Sequence, residues 1–479
     1  GYSMKSFLFY HATSQASVVI ITIALMLFVG YLMTRITRKF KLPNVTGYIL
    51  AGILMGPYCL DMVPVKVIDG MDFLSDIALA FIAFSTGEFF RFSVLKKNGW
   101  KVIVITVMEA VLASVCVFAV VYGVLHLNLA FSIVLAALAS ATAPASTIMT
   151  IRQTGAKGDF VDTLLQVVAL DDVVGLVEYS AAISIALAAF SGTGGFQVGN
   201  ILKPILINGA VLVLGGIFGW LLKCMMPKRK YKDNRLIISV AALFAFCGIC
   251  SLADVSPLLG CMSMGTIYIN LSDDDKLFKQ LNYFSPPILL LFFVRSGLSF
   301  RLDALLNPSA GEDGASLLVI GVAYFLTRII GKYAGAYLGC LAVHKKKQVR
   351  NYLGLALVPQ AGVAIGLAAL GARTLGGQMG IDLQTVILAS SVLYELTGPA
   401  CAKLSLYLSG SYGDIELPKE AKEKDPVTRL EMLIERIHEE IPETEENISP
   451  EEQAFLEAAN EQYEAVGALR NHLRARRTY

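Results

Sequence analysis

The sequence predicts an all-α polytopic membrane protein with about 13 transmembrane helices. Three observations predict it. Of 479 residues, 55% are hydrophobic and only 16% charged, and the mean hydropathy is +0.61; soluble domains carry about 25% charged residues. Such a chain cannot cover itself with a polar surface, which argues against disorder, collagen-like repeats and an ordinary soluble enzyme. Apolar runs of about 17 residues or more recur along the chain. Finally, the basic residues gather in alternate breaks between those runs.

Taken in order, residues 18–34 form the first run and stop at the basic RITRKFK. The glycine-rich 43–57 is short, and 73–92 ends at RFSVLKKNGWK. Next come 101–125, then 129–151, which closes at RQTGAK, and 160–190, which is long enough to tilt or overhang. Residues 200–223 stop at KCMMPKRKYKDNR. Segments 235–253, the short 256–270 and 281–300 follow, with DDDKLFK between the last two. The long 315–343 ends at HKKKQVR, and 352–373 and 384–409 complete the series.

Lys and Arg decide orientation. The basic breaks hold 22 such residues; the opposite loops hold five, Lys5, Lys66, Lys203, Arg301 and Arg373. This predicts a multi-pass protein of a cell membrane with its N-terminus outside and C-terminus in the cytoplasm. Residues 1–410 form the membrane domain and 411–479 a cytoplasmic tail. The tail carries net charge −8 and the rest +10. The tail reads as two amphipathic helices, one starting at Asp425-Pro426 with Val427, Leu430, Ile434, Ile437 and Ile441 on one face. The other starts at Ser449-Pro450 with Phe455, Ala459, Val466, Leu469 and Leu473. No G-x-G-x-x-G follows a strand, so no dinucleotide-binding domain is expected. No basic patch is interleaved with aromatics, so nucleic acid is not an expected partner. Cys247 and Cys250 lie in an apolar helix and read as packing residues.

A charge at mid-bilayer costs about 3 kcal/mol or more and is a functional candidate by default. The sixth run carries Asp171 and Asp172, the eleventh Arg328 and Lys332, the fourth Glu109, the tenth Arg295, the thirteenth Glu395. At 1.5 Å per residue, the two aspartates and Lys332 each lie ~17 Å from the cytoplasmic end of their helix. They therefore share a level near the midplane. Adjacent helical residues point about 100° apart. One aspartate can therefore pair with Lys332 while the other faces a watery cavity and binds a small cation or protons. Glu178 shares a face with Asp171 and reads equally as an external funnel residue or a structural pair, and Glu395 and Arg328 read as a pair in the core or at an interface.

Two runs are interrupted. The fifth contains Ser140-Ala141-Thr142-Ala143-Pro144 and the twelfth Val358-Pro359-Gln360-Ala361-Gly362. Pro in mid-span frees backbone groups, which is tolerated only inside protein or beside water. The two breaks lie seven runs apart, the pattern of inverted repeats with two crossed, discontinuous helices at a substrate site.

With these residues assembled, the chain over about 18–409 resembles the monovalent cation:proton antiporter superfamily. The closest likeness is to bacterial sodium/proton antiporters with a paired-aspartate motif. The carrying segments are LPNVTGYILAGILMGP, ATAPASTIMTIRQTG followed by VVALDDVVGL, FFVRSGLSF, GKYAG and LVPQAGVAIGLA. The resemblance implies a dimerisation domain and a mobile core domain, with the ion site built on two crossed, broken helices. It implies Asp172 as carrier of sodium or lithium and of protons, Asp171 as partner of Lys332, and Thr142 as an oxygen ligand of the ion. It also implies Pro144 and Pro359 as the helix breaks, and a homodimer. Some relatives carry an aspartate where this chain has Ala143, so that further carboxylate is absent. The Asp-Asp pair with Lys332 resembles the electrogenic branch. No cofactor is expected beyond the transported ions, and membrane lipid is the expected surrounding. Arg295 has no clear counterpart. A potassium/proton antiporter is the nearest rival, and a non-transporting membrane sensor is the rival of another class. An aspartyl protease is disfavoured, because adjacent Asp171 and Asp172 cannot face each other across a water.

Overall fold

The computed structural model describes residues 14–40, 44–88, 90–93, 96, 99–143, 147, 151, 156–190, 198–253, 255, 257–306, 316–360 and 362–411. Among them the regular structure is helical, with no strand. Ser14 caps α1 (Gln15–Lys39), accepting from the Ser17 amide at 3.3 Å, and Arg38 and Lys39 close it. That sign of charge suits a helix C-terminus. Then come α2 (Asn44–Met55), the short α3 (Val65–Gly70) and α4 (Phe73–Gly87). α5 (Trp100–Phe118) runs on into a π-helical segment, Ala119–Val124. Asn128 caps α6 (Leu129–Leu138), accepting from the Ala130 amide at 2.8 Å. α7 (Asp159–Phe190), α8 (Val198–Met225), α9 (Lys232–Leu252) and α10 (Leu258–Ser272) follow. Next are α11 (Asp275–Phe284), α12 (Pro286–Leu298) and the short α13 (Leu302–Leu306). The Ser316-capped α14 (Leu317–Ala342), α15 (Lys347–Ala356), α16 (Gly362–Leu375) and α17 (Gly377–Leu408) complete the fold.

Each of the thirteen apolar runs has a helical counterpart. Among the described residues, five helices are long and apolar enough to cross a membrane alone: Gln15–Lys39, Trp100–Val124, Leu206–Met225, Lys232–Leu252 and Leu317–Ala342. The tenth run departs from expectation. It is not one helix but α11 and α12 bent by 50°, a sixth candidate span. Pro286 and Pro287 stand in the first turn of α12. Proline lacks the amide an unbroken helix needs there, yet fits a helix start. The fifth run is helical only to Leu138, and the twelfth divides into α15 and α16 around residues 357–360. Pro144 and the tail from residue 412 lie outside the described residues, as does the side chain of Glu395.

Two bundles account for most of the packing. One joins α5, α6, α7 and α14–α17; the other joins α1, α2, α4 and α8–α12. They meet where α7 packs on α8 and α16 on α4. Small residues bring backbones together in both. A Cβ on Gly331, Gly335 or Gly339 of α14 would lie 2.7, 2.5 or 2.9 Å from the Cα of Ala113, Glu109 or Ile105 of α5. In the other bundle, a Cβ on Gly219 of α8 would lie 2.6 Å from the Met264 carbonyl oxygen of α10. Such four-residue spacing of small residues is how helices associate when lipid offers no hydrophobic contrast.

Candidate ion-binding site

The breaks after α6 and before α16 touch each other. The Ala143 amide donates to the Pro359 carbonyl at 2.9 Å. A helix that stops in the membrane leaves carbonyls without partners, each costing several kcal/mol in a dry surrounding. The chain answers with Arg328 of α14, fully buried. Its Nε donates to Ala139 O at 2.9 Å, Nη1 to Val358 O at 2.7 Å and Nη2 to Ala141 O at 2.6 Å. One guanidinium thus ties both breaks, using the planar fork only arginine supplies. Its charge also lies 4.6 Å from the Tyr394 ring centre. Gln360, within the second break, donates to Leu138 O at 2.7 Å and accepts from Tyr324 Oη at 2.8 Å.

One helical turn beyond Arg328, Lys332 enters the same crossing. Its Nζ donates to the Ser140 carbonyl, to Thr142 Oγ1 at 2.7 Å and to Asp171 Oδ2 at 3.1 Å. The Thr142 hydroxyl in turn donates to Asp171 Oδ2 at 2.7 Å. Glu109 of α5 brings Oε2 to 2.8 Å from the same ammonium. Glu109, Asp171 and Lys332 are 0% exposed and Asp172 only 4%. The shared depth inferred from residue counting is therefore a contact. Asp172 takes no part in these hydrogen bonds; its Oδ1 is buried without a hydrogen-bond partner among the described residues. It remains within electrostatic reach of Asp171 and Lys332.

Of the residues singled out by sequence, Asp171, Thr142 and Lys332 form one hydrogen-bonded group, with Asp172 on its edge and Pro359 at the crossing. Pro144 falls outside the described residues. Glu178 accepts from Ser114 Oγ at 2.5 Å, linking α7 to α5. Arg295 is not part of the site. It donates to Ile68 O at 3.1 Å and pairs with the Asp72 carboxylate. Sequence reasoning gave Glu109 no role and offered Arg328 only a pairing with Glu395, whose side chain lies outside the described residues. Their signal was present: both are charges in apolar runs, and Arg328 precedes Lys332 by four residues, hence on the same face.

Chemically, three buried carboxyl groups outnumber the single ammonium they surround. Such an assembly is poised to take up positive charge, because an unmatched buried carboxylate is costly.

The family model described as "Sodium/hydrogen exchanger, transmembrane" matches residues 23–398. The chain belongs to the sodium/hydrogen exchanger family. Members are membrane transporters, and this chain is accordingly read as a multi-pass antiporter rather than an enzyme. Its fold is similar to that of the sodium proton antiporter MjNhaP1 from Methanocaldococcus jannaschii, solved at pH 8, with a TM-score of 0.67 and 19% identity. The match covers 83% of this chain and all of that one. An electron-microscopy structure of the same antiporter gives a TM-score of 0.66 at 19% identity, over 85% of this chain and all of that one. A curated relative, the iron transporter MagA of Paramagnetospirillum magneticum, is 24% identical over 278 residues. That match spans 56% of this chain and 60% of MagA, so the chain covers about three-fifths of the length of that relative. At these identities the structural likeness concerns the fold. It agrees with the all-helical membrane architecture that the sequence predicts.

Proposed function

We propose that this chain exchanges sodium or lithium for protons across a cell membrane, by alternating access and electrogenically. Asp172 is the carrier and Thr142 an oxygen ligand of the cation. The observation that carries the reading is the buried, unpartnered Asp172 oxygen beside a group in which carboxyls outnumber ammonium. A proton or a cation neutralises that carboxylate equally well, so each displaces the other. The loaded site moves with its bundle; an unloaded one is held back by the cost of carrying bare charge past lipid. Thr142 has room for the role. A hydroxyl has one hydrogen and two lone pairs; here the hydrogen goes to Asp171 and one lone pair to Lys332, leaving one lone pair for a cation. Sodium and lithium suit such hard oxygen donors. The arrangement proposed is a homodimer in lipid, N-terminus outside and C-terminus cytoplasmic, following the basic-residue asymmetry and the family resemblance.

The test is proton flux in proteoliposomes holding only this protein, under imposed sodium, lithium or potassium gradients. Wild-type protein should change lumenal pH with sodium or lithium, and Asp172→Asn should not, while eluting as folded protein. Response to potassium alone would transfer the reading to potassium/proton exchange. Full activity in Asp172→Asn would remove Asp172 from the carrier role. Lys332→Ala should alter the number of protons moved per cation, read from the reversal potential; an unchanged ratio would detach Lys332 from coupling.

A further inference from the structure

Lys332 has more acceptors than it can serve. An ammonium carries three N–H donors. Here they go to the Ser140 carbonyl, Thr142 Oγ1 and Asp171 Oδ2. A fourth oxygen, Glu109 Oε2, lies 2.8 Å from the same nitrogen, nearer than Asp171 Oδ2 at 3.1 Å. Apart from that close ion-pair contact with Lys332, neither carboxyl oxygen of Glu109 makes a well-aligned hydrogen bond among the described residues, and Asp171 Oδ1 has no hydrogen-bond partner there. Two fully buried carboxyls on different helices therefore compete for one ammonium.

Among the described residues packed around it, Glu109 meets no other free counter-charge. α14 lies against α5 so closely that a Cβ on Gly335 would meet the Glu109 Cα at 2.5 Å. From α14 the charged groups are Lys332 and Arg328, and Arg328 is engaged by the carbonyls of the two breaks. α7 brings Asp171, Asp172 and Glu178, all acidic, and Glu178 is bonded to Ser114. α6 has no titratable side chain.

We propose that Glu109 is a positioning residue that receives Lys332 when a cation displaces it from Asp171 and Thr142. The ammonium then changes partners instead of losing one. This rests on the exchange reading above. Stranding a buried ammonium is costly, and removing one partner of a buried pair is strongly unfavourable. With Glu109 beside it, Lys332 shifts toward α5 while Asp171 and Thr142 turn to the incoming ion. Without Glu109, the ion has to displace an ammonium that has nowhere to go.

The experiment compares Glu109→Gln, Glu109→Asp, Lys332→Gln and the Glu109→Gln/Lys332→Gln double variant as full-length protein. One readout is the KM and kcat of sodium- and lithium-driven proton flux. The other is the sodium concentration that raises the thermal unfolding midpoint in detergent, which needs no turnover. Glu109→Gln should raise the KM about tenfold, with a smaller effect on kcat, the size expected when contacting charged residues are uncoupled. Glu109→Asp, which keeps the charge, should recover part of that affinity. On the Lys332→Gln background, Glu109→Gln should leave the stabilising sodium concentration unchanged, because no ammonium remains to relocate. An unchanged KM in Glu109→Gln, or an equal shift on both backgrounds, would overturn the inference while leaving exchange intact. If Glu109→Gln does not fold, the Glu109→Asp comparison and its Lys332→Gln counterpart decide. Wild-type protein without a sodium or lithium signal in either assay would overturn the exchange reading, and this inference with it.

Discussion

In the bundle of α1, α2, α4 and α8–α12, the two buried arginines among the described residues each pair with one carboxylate near helix ends. Arg235, in the first turn of α9, pairs with Asp274 just before α11, and Tyr268 donates to the same carboxylate at 2.7 Å. Arg295, in the last turn of α12, pairs with Asp72 before α4. In the bundle of α5–α7 and α14–α17, charge is unmatched and lies in mid-helix. Glu109 and Asp171 share Lys332, Asp172 lies beside them, and the nearby Arg328 is taken up by backbone carbonyls rather than by a carboxylate. A matched pair fixes the helices it joins. An unmatched group stays responsive, because its protonation and its ligands set its energy. Under the proposed exchange, the matched bundle would serve as the frame and the unmatched one would carry the ion.

The sharpest test of that contrast is Arg328→Leu, which strips the shared partner from three buried carbonyls at the crossing. It should cost about 5 kcal/mol or more, enough to lose the folded protein, since a broken buried network is among the largest single-residue effects. Yield and elution profile after extraction measure it. Recovery of well-folded Arg328→Leu would mean that the breaks are held by something else. Next in size is Arg235→Ala, which leaves Asp274 without its cation and should cost about 3 kcal/mol. Its apparent sodium KM should match wild type. A changed KM at preserved stability would erase the distinction between frame and carrier.

Smaller effects probe packing. Gly335→Ala should destabilise by about 2 kcal/mol, because the new methyl meets the α5 backbone and the helices have to part. On the same helix, a Cβ on Gly321 meets nothing within 4 Å. Gly321→Ala should therefore be neutral or stabilise by about 1 kcal/mol, the usual helix-propensity gain. Thermal unfolding of the two variants side by side tests whether the α5–α14 contact is as close as drawn. The smallest effect is expected where the bundles meet. Asp76 of α4 and Arg373 of α16 are 4.0 Å apart and partly exposed. Asp76→Asn should change stability by less than about 1 kcal/mol, as for surface pairs generally. A larger loss would make that contact a lock between the bundles.

Much of this was legible in the sequence, for identifiable reasons. Apolar runs mark helices because lipid requires backbone groups to be bonded within a segment. Asp171, Asp172 and Lys332 stood out because charge is rare at that depth, and residue counting put them at one level. Pro359 marked a break because proline lacks the amide. Pro286 and Pro287 carried the same signal for the α11–α12 bend, but they stood inside the apolar run 281–300, which reads as one helix. Glu109 and Arg328 were visible as charges, yet nothing in their spacing says which helix α5 or α14 faces.

The sequence by itself determined the class of molecule, the helical segments, the depth of the charges and the two interruptions. Each depends on local chemistry or on distance along one helix. Only the tertiary structure decided that Arg328 closes both breaks and that Glu109 competes with Asp171 for Lys332. It also decided that an Asp172 oxygen is left over. Those facts depend on how residues from α5, α7 and α14 meet at the crossing. Close backbone approach at Gly331, Gly335 and Gly339 fixes part of that meeting, and no one-dimensional pattern records it.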